Sequence, residues 1–356
     1  MTAKVISMFN NKGGVGKTTI IWNLAVSIAS MGHNTLLIDF DPQCNLSIAT
    51  IGYEEFAEYL KESEKFPYGR TIRAYAQPYI YQMQINNIHL TQPKHKPDQQ
   101  LEKPGNLDIV PGDFWLNKFA DILTVGTDVV SGAGLYRFLV PLLLVNRLSD
   151  TFNKSYEYVL IDLPPSFNTL VRSALYCSDY FLVPCTPDLF SAYCIGLIGE
   201  VLPSFVKDWK QGKERFLESN KFDDLVRHKG KPKFGGWIFN GFDTKGGKKL
   251  GADQYQYDKI LKIIETRLIP DLKKISDYNC VPEFIKNLEP VANIEDLNVM
   301  APDSIGQNVP IKYLSTKKPT RGAISSTSWN RGQTRLMEDM DKEYDKLGKH
   351  IIDNFT

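Results

Sequence analysis

A glycine-rich segment near the start of the chain constrains the fold more than any other feature of the sequence. The segment Asn11–Thr19 (NKGGVGKTT) lies between a β-rich run, Lys4–Asn10, and a stretch with helically spaced apolar residues, Thr18–Met31. A second apolar run, Thr35–Asp39, follows directly after Gly32. This order of strand, loop, helix and strand predicts a βαβ unit, which requires a parallel sheet with a right-handed crossover.

Other apolar runs extend the same architecture along the chain. Four continuous runs predict buried parallel strands: Tyr158–Asp162, Tyr180–Pro184, Gly235–Asn240 and Leu107–Pro111. Continuous apolar runs, rather than alternating ones, are typical of a sheet that is covered on both faces. The sequence therefore predicts an α/β fold with a doubly wound, mainly parallel sheet and helices on both faces.

The remaining segments predict additions to one domain that covers residues 1–356. Residues 52–106 show weak periodicity and predict an elaboration with a helix at Tyr53–Ser63. Residues 207–233 are rich in lysine and predict a second elaboration, and residues 333–352 predict a charged C-terminal helix.

The glycine-rich segment has the chemistry of a phosphate-binding loop. Residue 11 is Asn, so the segment follows the variant K-G-G-x-G-K-S/T rather than the ordinary P-loop pattern. Glycines let backbone N–H groups turn inward around an anion, and the following helix adds positive potential. The residues expected to bind the nucleotide are Gly13, Gly14, Val15, Gly16, Lys17, Thr18 and Thr19. A glycine-rich turn without a ligand is the alternative.

Composition restricts the other classes of function. Lys and Arg total 42 against 41 for Asp and Glu, a formal net charge of +1, so any nucleic-acid contact must come from a local patch. The five cysteines are an odd number without CxxC spacing, which argues against a disulfide framework or a zinc site. Cys185 at a strand end and Cys194 in a helical run are expected to be core thiols rather than ligands of an iron–sulfur cluster. A cytoplasmic location is expected.

Three motifs together resemble one protein family. The segments KGGVGKTT, LLIDFDPQCNLS (36–47) and YVLIDLPPSFNTL (158–170) resemble the ParA/MinD superfamily of deviant Walker A ATPases, and are most similar to its ParA partition branch. The resemblance continues through residues 183–197, 238–243 and 294–310. It departs from the usual pattern at Cys44, Phe167, Asn168, Val171 and Ser173.

The resemblance implies a role for each site residue. Lys17 would contact the β- and γ-phosphates of ATP. Lys12 would reach the partner's phosphates across a homodimer that sandwiches ATP, and Asp41 would orient the attacking water. Asn240 would read the adenine edge, although a buried turn-forming asparagine is the alternative. The ligands implied for Mg²⁺ are Thr18, Asp39 and Asp162, the two carboxylates through water, although either aspartate could instead be a structural cap at a strand end.

The implied function is slow ATP hydrolysis coupled to dimerisation. The ATP dimer would bind non-specific DNA and a ParB-like adaptor, in plasmid or chromosome partition or cargo positioning, and would associate with the nucleoid. The candidate DNA contacts are Lys207, Lys210, Lys213, Arg215, Lys245, Lys248, Lys249, Lys317, Lys318, Arg321, Arg331 and Arg335. Residues 337–352 have a thin apolar face, which argues against membrane binding. The alternative is a regulatory ATPase of a defence or toxin system that controls a neighbouring effector.

Overall fold

The computed structural model describes residues 3–84, 88–97, 103–125, 128–320 and 328–356. The candidate DNA contact at residue 321 lies outside these ranges. The strands, in chain order, are β1 (Lys4–Met8), β2 (Thr35–Asp39), β3 (Pro67–Arg70), β4 (Leu107–Val110), β5 (Tyr158–Asp162), β6 (Tyr180–Cys185), β7 (Lys233–Phe242), β8 (Thr244–Lys245), β9 (Lys248–Lys249) and β10 (Ala292–Glu295).

Seven of the strands in the described ranges form one central sheet. Their order is β10-β7-β6-β1-β5-β2-β4, and all neighbouring strands are parallel. The chain winds outward from β1 through β2 to β4, returns by β5, and crosses β1 to reach β6. This confirms the predicted doubly wound parallel sheet. Ligands of such sheets bind at the carboxyl ends of the strands, where the winding reverses.

Helices cover both faces of this sheet. In chain order they are α1 (Lys17–Ser30), α2 (Asn45–Ile51), α3 (Tyr53–Leu60), α4 (Arg73–Ile80), α5 (Leu116–Val125), α6 (Leu135–Phe138), α7 (Val140–Phe152), α8 (Thr169–Cys177), α9 (Leu189–Ser219), α10 (Asp224–His228), α11 (Gly251–Ile263), α12 (Ile269–Leu272), α13 (Pro282–Ile285), α14 (Met300–Gln307), α15 (Ile311–Leu314) and α16 (Arg331–Asn354). A π-helical segment, Ile264–Leu268, joins α11 to α12.

The direction of each crossover decides which face a helix covers. From β1 to β2 and from β5 to β6 the chain moves in opposite directions along the sheet, so right-handed crossovers put α1 and α8 on opposite faces. On the α1 side, α16 packs against α1 and β10. On the α8 side, α9 packs against β6 and against α11 and its π-helical continuation.

The predicted elements agree with the structure most closely at the buried strands. β2 and β5 have the predicted bounds, Thr35–Asp39 and Tyr158–Asp162. The C-terminal helix begins earlier than predicted, at Arg331, because Asn330 and Gln333 form a reciprocal capping box. Residues 52–106 contain α3, β3 and α4. Within residues 207–233, the first part is the second half of α9, and α10 follows.

Helix α9 is also the most apolar long helix in the described part of the chain. An 18-residue window within it has a mean hydropathy of 1.7, so by length and composition alone the helix could cross a membrane. However, 56% of that window is buried inside the fold. A buried core helix meets the same criterion, and α9 packs against β6, α11, the π-helical segment and α12.

The close packing of α9 gives a test of the fold. A methyl group added at Gly212 would lie 1.6 Å from the carbonyl oxygen of Val129, whereas nothing lies within 4 Å of the same position at Gly306 in α14. We expect Gly212→Ala to lower the free energy of unfolding by about 1–3 kcal/mol, because α9 or the facing turn must move. Gly306→Ala should instead raise it by up to about 1 kcal/mol. Urea denaturation of both variants measures the difference, and equal effects would contradict the packing of α9.

Candidate nucleotide-binding site

The loop between β1 and α1 turns sharply at the carboxyl edge of the sheet. Gly14 and Gly16 have φ angles of 73° and 83°, in the left-handed region that favours glycine. Gly16 directly precedes α1, so the first backbone N–H groups of the helix follow the turn without an intrahelical acceptor. Such donors, with the helix dipole behind them, favour an anion at this position.

Lys17 carries the positive charge of the loop. Its ammonium donates to the carbonyl oxygens of Asn10, at 3.0 Å, and Lys12, at 3.1 Å. The residue is only 7% exposed, and burial lowers the pKa of its ammonium, while the charges of Asp162 and Asp41 oppose that shift. Because both hydrogen-bond partners are uncharged carbonyls, the ammonium still offers its charge to an anion in the loop.

Thr18 and Asp162 bring two oxygen groups together beside the loop. The Thr18 hydroxyl donates to Asp162 Oδ2 at 2.7 Å. Asp162 ends β5, where its Cα is in register with those of Met8 and Asp39 on the two neighbouring strands. Burial, with the charge of Asp39 second, raises the pKa of Asp162 to about 8.

This oxygen pair fits Mg²⁺ in combination with a nucleotide. In the described residues, no group of three or more His, Cys, Asp or Glu side chains converges on a metal position. Protein sites for Mg²⁺ commonly use one or two side-chain oxygens, several waters and the phosphates of the substrate. In addition, Asn11 Oδ1 and Ser166 Oγ are buried without a hydrogen-bond partner in the described part of the chain, which fits a polar ligand at this site.

Asp39, at the end of β2, accepts hydrogen bonds from the segment that follows this strand. Its Oδ2 accepts hydrogen bonds from the backbone N–H of Ser47, at 2.8 Å, and from the Ser47 hydroxyl, at 2.6 Å. Its Oδ1 accepts a longer one, 3.3 Å, from the N–H of Asp41. Burial raises the pKa of Asp39 to about 7, although the Ser47 hydrogen bonds act in the opposite direction. The carboxylate therefore anchors the segment after β2.

Sequence reasoning missed Ser47, although it belongs to the DPQCNLS motif. The Ser47 hydroxyl accepts a hydrogen bond from the N–H of Gly112 at 2.8 Å. It thus connects β2, through Asp39, to the segment that follows β4. Only the pairing of β2 with β4 brings these residues together, and the sequence did not predict that neighbour relation.

Asp41 lies close enough to the glycine-rich loop to feel the charge of Lys17, but its hydrogen-bond partner lies in its own segment, after β2. It is 5% exposed, and its Oδ1 accepts a hydrogen bond from the Gln43 N–H at 2.9 Å. Burial raises its pKa, whereas the Gln43 amide and the charge of Lys17 oppose that rise. A carboxylate that interacts with the charge of Lys17 without forming an ion pair with it remains available to orient a water molecule.

Lys12 contacts its own chain rather than extending into solvent. Its ammonium donates to the Thr186 hydroxyl at 2.6 Å, forms a short ion pair with Asp188, and lies 3.4 Å from Ser191 Oγ. Asp188 also caps α9, since its Oδ1 accepts from the Ser191 N–H at 3.0 Å. Sequence reasoning missed these three partners. All three lie in residues 183–197, and the resemblance of that segment to the ParA/MinD superfamily was the sequence feature that could have indicated them.

Asn240 supports the loop from β7. Its Nδ2 donates to the carbonyl oxygen of Val15 at 3.1 Å, and a methyl group at Gly16 would lie 2.5 Å from this nitrogen. The side-chain amide of Asn240 is therefore at the glycine-rich loop, and one of its two N–H donors already holds the loop backbone.

The candidate DNA contacts separate into distinct regions. Lys245 and Lys248 lie in the β8–β9 hairpin, which follows the carboxyl end of β7, whereas Lys210 and Lys213 lie on the distal half of α9. The ammonium of Lys249 lies over the rings of Phe239, Phe242 and Tyr257, at 5.8, 5.2 and 4.6 Å from their centroids. These cation–π contacts engage Lys249 within the fold, so it is a poorer DNA contact than its neighbours.

The fold, the glycine-rich loop and the Thr18–Asp162 pair define a P-loop nucleotide-binding protein. Residues 3–212 match a family model described as an AAA domain, which covers more than half of the chain. The chain therefore belongs to this family, and it is a P-loop ATPase of the ParA/MinD type.

Curated relatives and solved structures agree with this assignment. The chain is 32% identical over 193 residues to the chromosome partitioning protein ParA of Caulobacter vibrioides, covering 53% of this chain and 58% of that protein. It is 27% identical over 185 residues to the sporulation initiation inhibitor protein Soj of Bacillus subtilis, covering 51% and 57%. The matched stretch spans 52–60% of the length of the first relatives, which are uncharacterised proteins.

Two solved structures share the fold across nearly the whole chain. An ATP complex of a Cyanothece McdA variant has a TM-score of 0.60 at 15% identity and covers 98% of this chain and 96% of that one. The structure of pnob8 ParA has a TM-score of 0.57 at 18% identity and covers 99% and 98%.

The raised pKa values predict a pH dependence of stability. Asp39 and Asp162 titrate near 7 and 8 in the fold but near 4 in the unfolded chain, so the folded protein binds more protons between these limits. The stabilisation from these two protons is complete below about pH 4 and is lost as the pH rises through 7 and 8. We therefore expect the metal-free protein to lose stability from about pH 5 to 8 in urea denaturation.

The variant Asp162→Asn isolates this effect. It preserves an oxygen that can accept from Thr18 but removes a titrating group, so the decline in unfolding free energy with pH should become shallower. The exposed Asp150→Asn should keep the wild-type slope. An unchanged slope in Asp162→Asn would contradict the assignment of the raised pKa.

Proposed function

We propose that the protein binds ATP with Mg²⁺ at the carboxyl edge of the sheet and hydrolyses it slowly. The observation that carries the proposal is the convergence of Lys17, Thr18 and Asp162 on the glycine-rich turn at the start of α1. Lys17 would neutralise the β- and γ-phosphates, and Thr18 would ligate Mg²⁺ directly, with Asp162 holding it through water. Bound Mg²⁺ would supply charge stabilisation to the transferring phosphoryl group.

The chain's own residues divide the remaining work of the reaction. Asp41 would orient the attacking water, because its carboxylate lies near Lys17 without being paired to it. Asp39 would hold Asp41 in place through the 3.3 Å hydrogen bond to its backbone, a positioning role rather than direct contact with the metal shell. Asn240 would hold the backbone of the glycine-rich loop through Val15 and donate its remaining amide hydrogen to the adenine of ATP.

We further propose that ATP promotes a homodimer in which Lys12 reaches the partner's phosphates. Lys12 lies at the opening of the loop and is held on its own chain by Asp188, so it must leave that ion pair to act in trans. A cation supplied by a second subunit would stabilise charge on the γ-phosphate, as an arginine finger does.

The ATP dimer would in turn bind DNA and a ParB-like adaptor, as part of plasmid or chromosome partition or of cargo positioning. The named relatives ParA and Soj support this family role. The basic hairpin residues Lys245 and Lys248 and the start of α16, with Arg331 and Arg335, supply positive charge for a phosphate backbone. The regulatory role in a defence or toxin system is not favoured, because the named relatives are described as a chromosome partitioning protein and a sporulation initiation inhibitor protein.

Asp41→Ala and Lys17→Ala separate binding from turnover. We expect Asp41→Ala to bind ATP within about threefold of wild type while its hydrolysis rate falls about 100-fold or more, since only the water-orienting group is removed. Lys17→Ala should lose about 10- to 100-fold or more in ATP affinity, because a charge-assisted contact to phosphate is removed.

Calorimetry measures the ATP affinity of each variant, and phosphate release measures its hydrolysis. Exposed Lys61→Ala is the control and should behave as wild type. Unchanged ATP affinity in Lys17→Ala would overturn the nucleotide site, whereas wild-type turnover in Asp41→Ala would overturn only the role of Asp41.

Lys12→Ala tests the dimer. With a non-hydrolysable ATP analogue, wild type should sediment as a dimer and Lys12→Ala as a monomer that still binds nucleotide, because Lys17 and the loop remain. Asp188→Asn keeps an acceptor for the α9 cap but weakens the hold on Lys12. The dissociation constant of the Asp188→Asn dimer should therefore be about two- to fivefold lower than that of wild type, which is the effect expected for the loss of a partly exposed ion pair. A wild-type dimer in Lys12→Ala would remove Lys12 from the interface.

A further inference from the structure

The amino edge of the sheet, opposite the nucleotide loop, contains a cavity with an unusual concentration of lysines. The cavity has a volume of about 270 Å³ and is lined by Lys210, Lys213, Lys229 and Lys231, with Trp209. Lys210 and Lys213 lie on the distal half of α9, whereas Lys229 and Lys231 precede β7. The end of α9 and the loop before β7, which only α10 separates, thus bring four ammonium groups to one concave site.

The loop that carries Lys229 and Lys231 is held closely against α9. Gly230 between them has a φ angle of 96°, and a methyl group on it would lie 1.9 Å from Trp209 Cδ1. The Gly230 N–H donates to the carbonyl oxygen of Tyr176 at 2.9 Å. Only glycine permits both this backbone conformation and this close approach to the indole, so the two lysines are held at the cavity by the fold.

Two of the four lysines have no carboxylate partner in the described residues. Lys213 donates to the carbonyl oxygen of Arg227 at 3.1 Å, and Lys231 donates to the carbonyl oxygens of Ser276 and Asp277 at 3.3 and 3.2 Å. Backbone carbonyls satisfy hydrogen bonds but leave the positive charge uncompensated. Burial, followed by the charge of Lys231, lowers the pKa of Lys213, and the charge of Glu214 opposes that shift.

The other two lysines are partly neutralised. Lys229 forms an ion pair with Asp179 at 2.6 Å, and Lys210 lies at 4.0 Å from Glu214. Glu214 and Asp277 also line the cavity, so four basic and two acidic side chains surround it. With Asp179, which pairs with Lys229, three acidic groups face four basic ones, and the remaining positive charge lies at Lys213 and Lys231. This excess of positive charge indicates an anionic ligand.

We propose that this cavity binds a phosphate group. Lysine ammonium groups act as point charges and recognise phosphate well, whereas a planar carboxylate is matched better by arginine. The volume lies just below the range of about 300–1,000 Å³ for small-molecule sites, which suits a phosphate with a small attached group. The phosphate could belong to a small phosphorylated molecule or to a nucleic-acid backbone, and the experiment distinguishes these sources.

Trp209 supplies a local signal for the test. It lines the cavity, and its indole Nε1 is buried without a hydrogen-bond partner in the described part of the chain. The chain contains five tryptophans, so a ¹⁵N-correlated spectrum of the full-length protein has five indole N–H signals. Trp209→Phe assigns the Trp209 signal.

The probe is inorganic phosphate, with acetate at the same ionic strength as the control anion. We expect phosphate to shift the Trp209 signal in a saturable way and acetate to leave it unchanged. The double variant Lys213→Gln/Lys231→Gln should bind phosphate at least about tenfold more weakly, since two charge-assisted contacts are lost. The matched variant Lys118→Gln/Lys221→Gln removes two exposed lysines that do not line the cavity and should bind as wild type.

Three results would overturn the proposal: no saturable shift of Trp209, an equal shift with acetate, or an equal loss of affinity in the two double variants. A short DNA duplex then identifies the source of the phosphate. Displacement of bound phosphate by the duplex, with loss of DNA retention in Lys213→Gln/Lys231→Gln, supports a backbone phosphate. Binding of inorganic phosphate without such displacement supports a small phosphorylated molecule. Neither result depends on the ATPase activity.

Discussion

The electrostatics of the site at the carboxyl edge of the sheet depend on one buried ammonium group that lies among three carboxyl groups. Lys17 is surrounded by the charges of Asp162 and Asp41, and Asp39 lies beside Asp162 across the β2–β5 pair. With only one cation for three acids, burial raises the pKa of each carboxyl group. Such a site stores unfavourable electrostatic energy that a divalent cation with an anionic ligand would relieve. The Thr18 and Ser47 hydrogen bonds keep these groups in place.

Helix α9 connects this edge to the opposite one. Its 31 residues span about 46 Å, and its N-terminal cap, Asp188, holds Lys12 beside the nucleotide loop. Its distal half supplies Lys210 and Lys213 to the cavity at the amino edge. Breaking the ion pair between Lys12 and Asp188 would therefore act on one end of α9. A ligand in the distal cavity would act on the other end of the same helix, through Lys210 and Lys213.

Some parts of the molecule were predictable from sequence because local pattern and burial agree. The strands Thr35–Asp39 and Tyr158–Asp162 have the predicted bounds, since continuous apolar runs ending in aspartate are typical of buried parallel strands. The extent of α9 was not predicted. Its charged distal half, residues 207–219, resembles an exposed insertion, and Pro203 within the helix further obscures its continuity. Packing on β6 and α11, rather than local propensity, keeps this helix in one piece.

The sequence by itself determined the chemistry of the loop, because Gly14, Gly16, Lys17 and Thr18 lie within five residues and act through local backbone geometry. It also determined the class of fold, because strand and helix periodicities are local properties. Only the tertiary structure decided the partners of Lys12 and Asn240 and the hydrogen bond between Ser47 and Gly112. Those contacts depend on strand order and helix packing, which place residues distant in sequence within a few ångströms of each other.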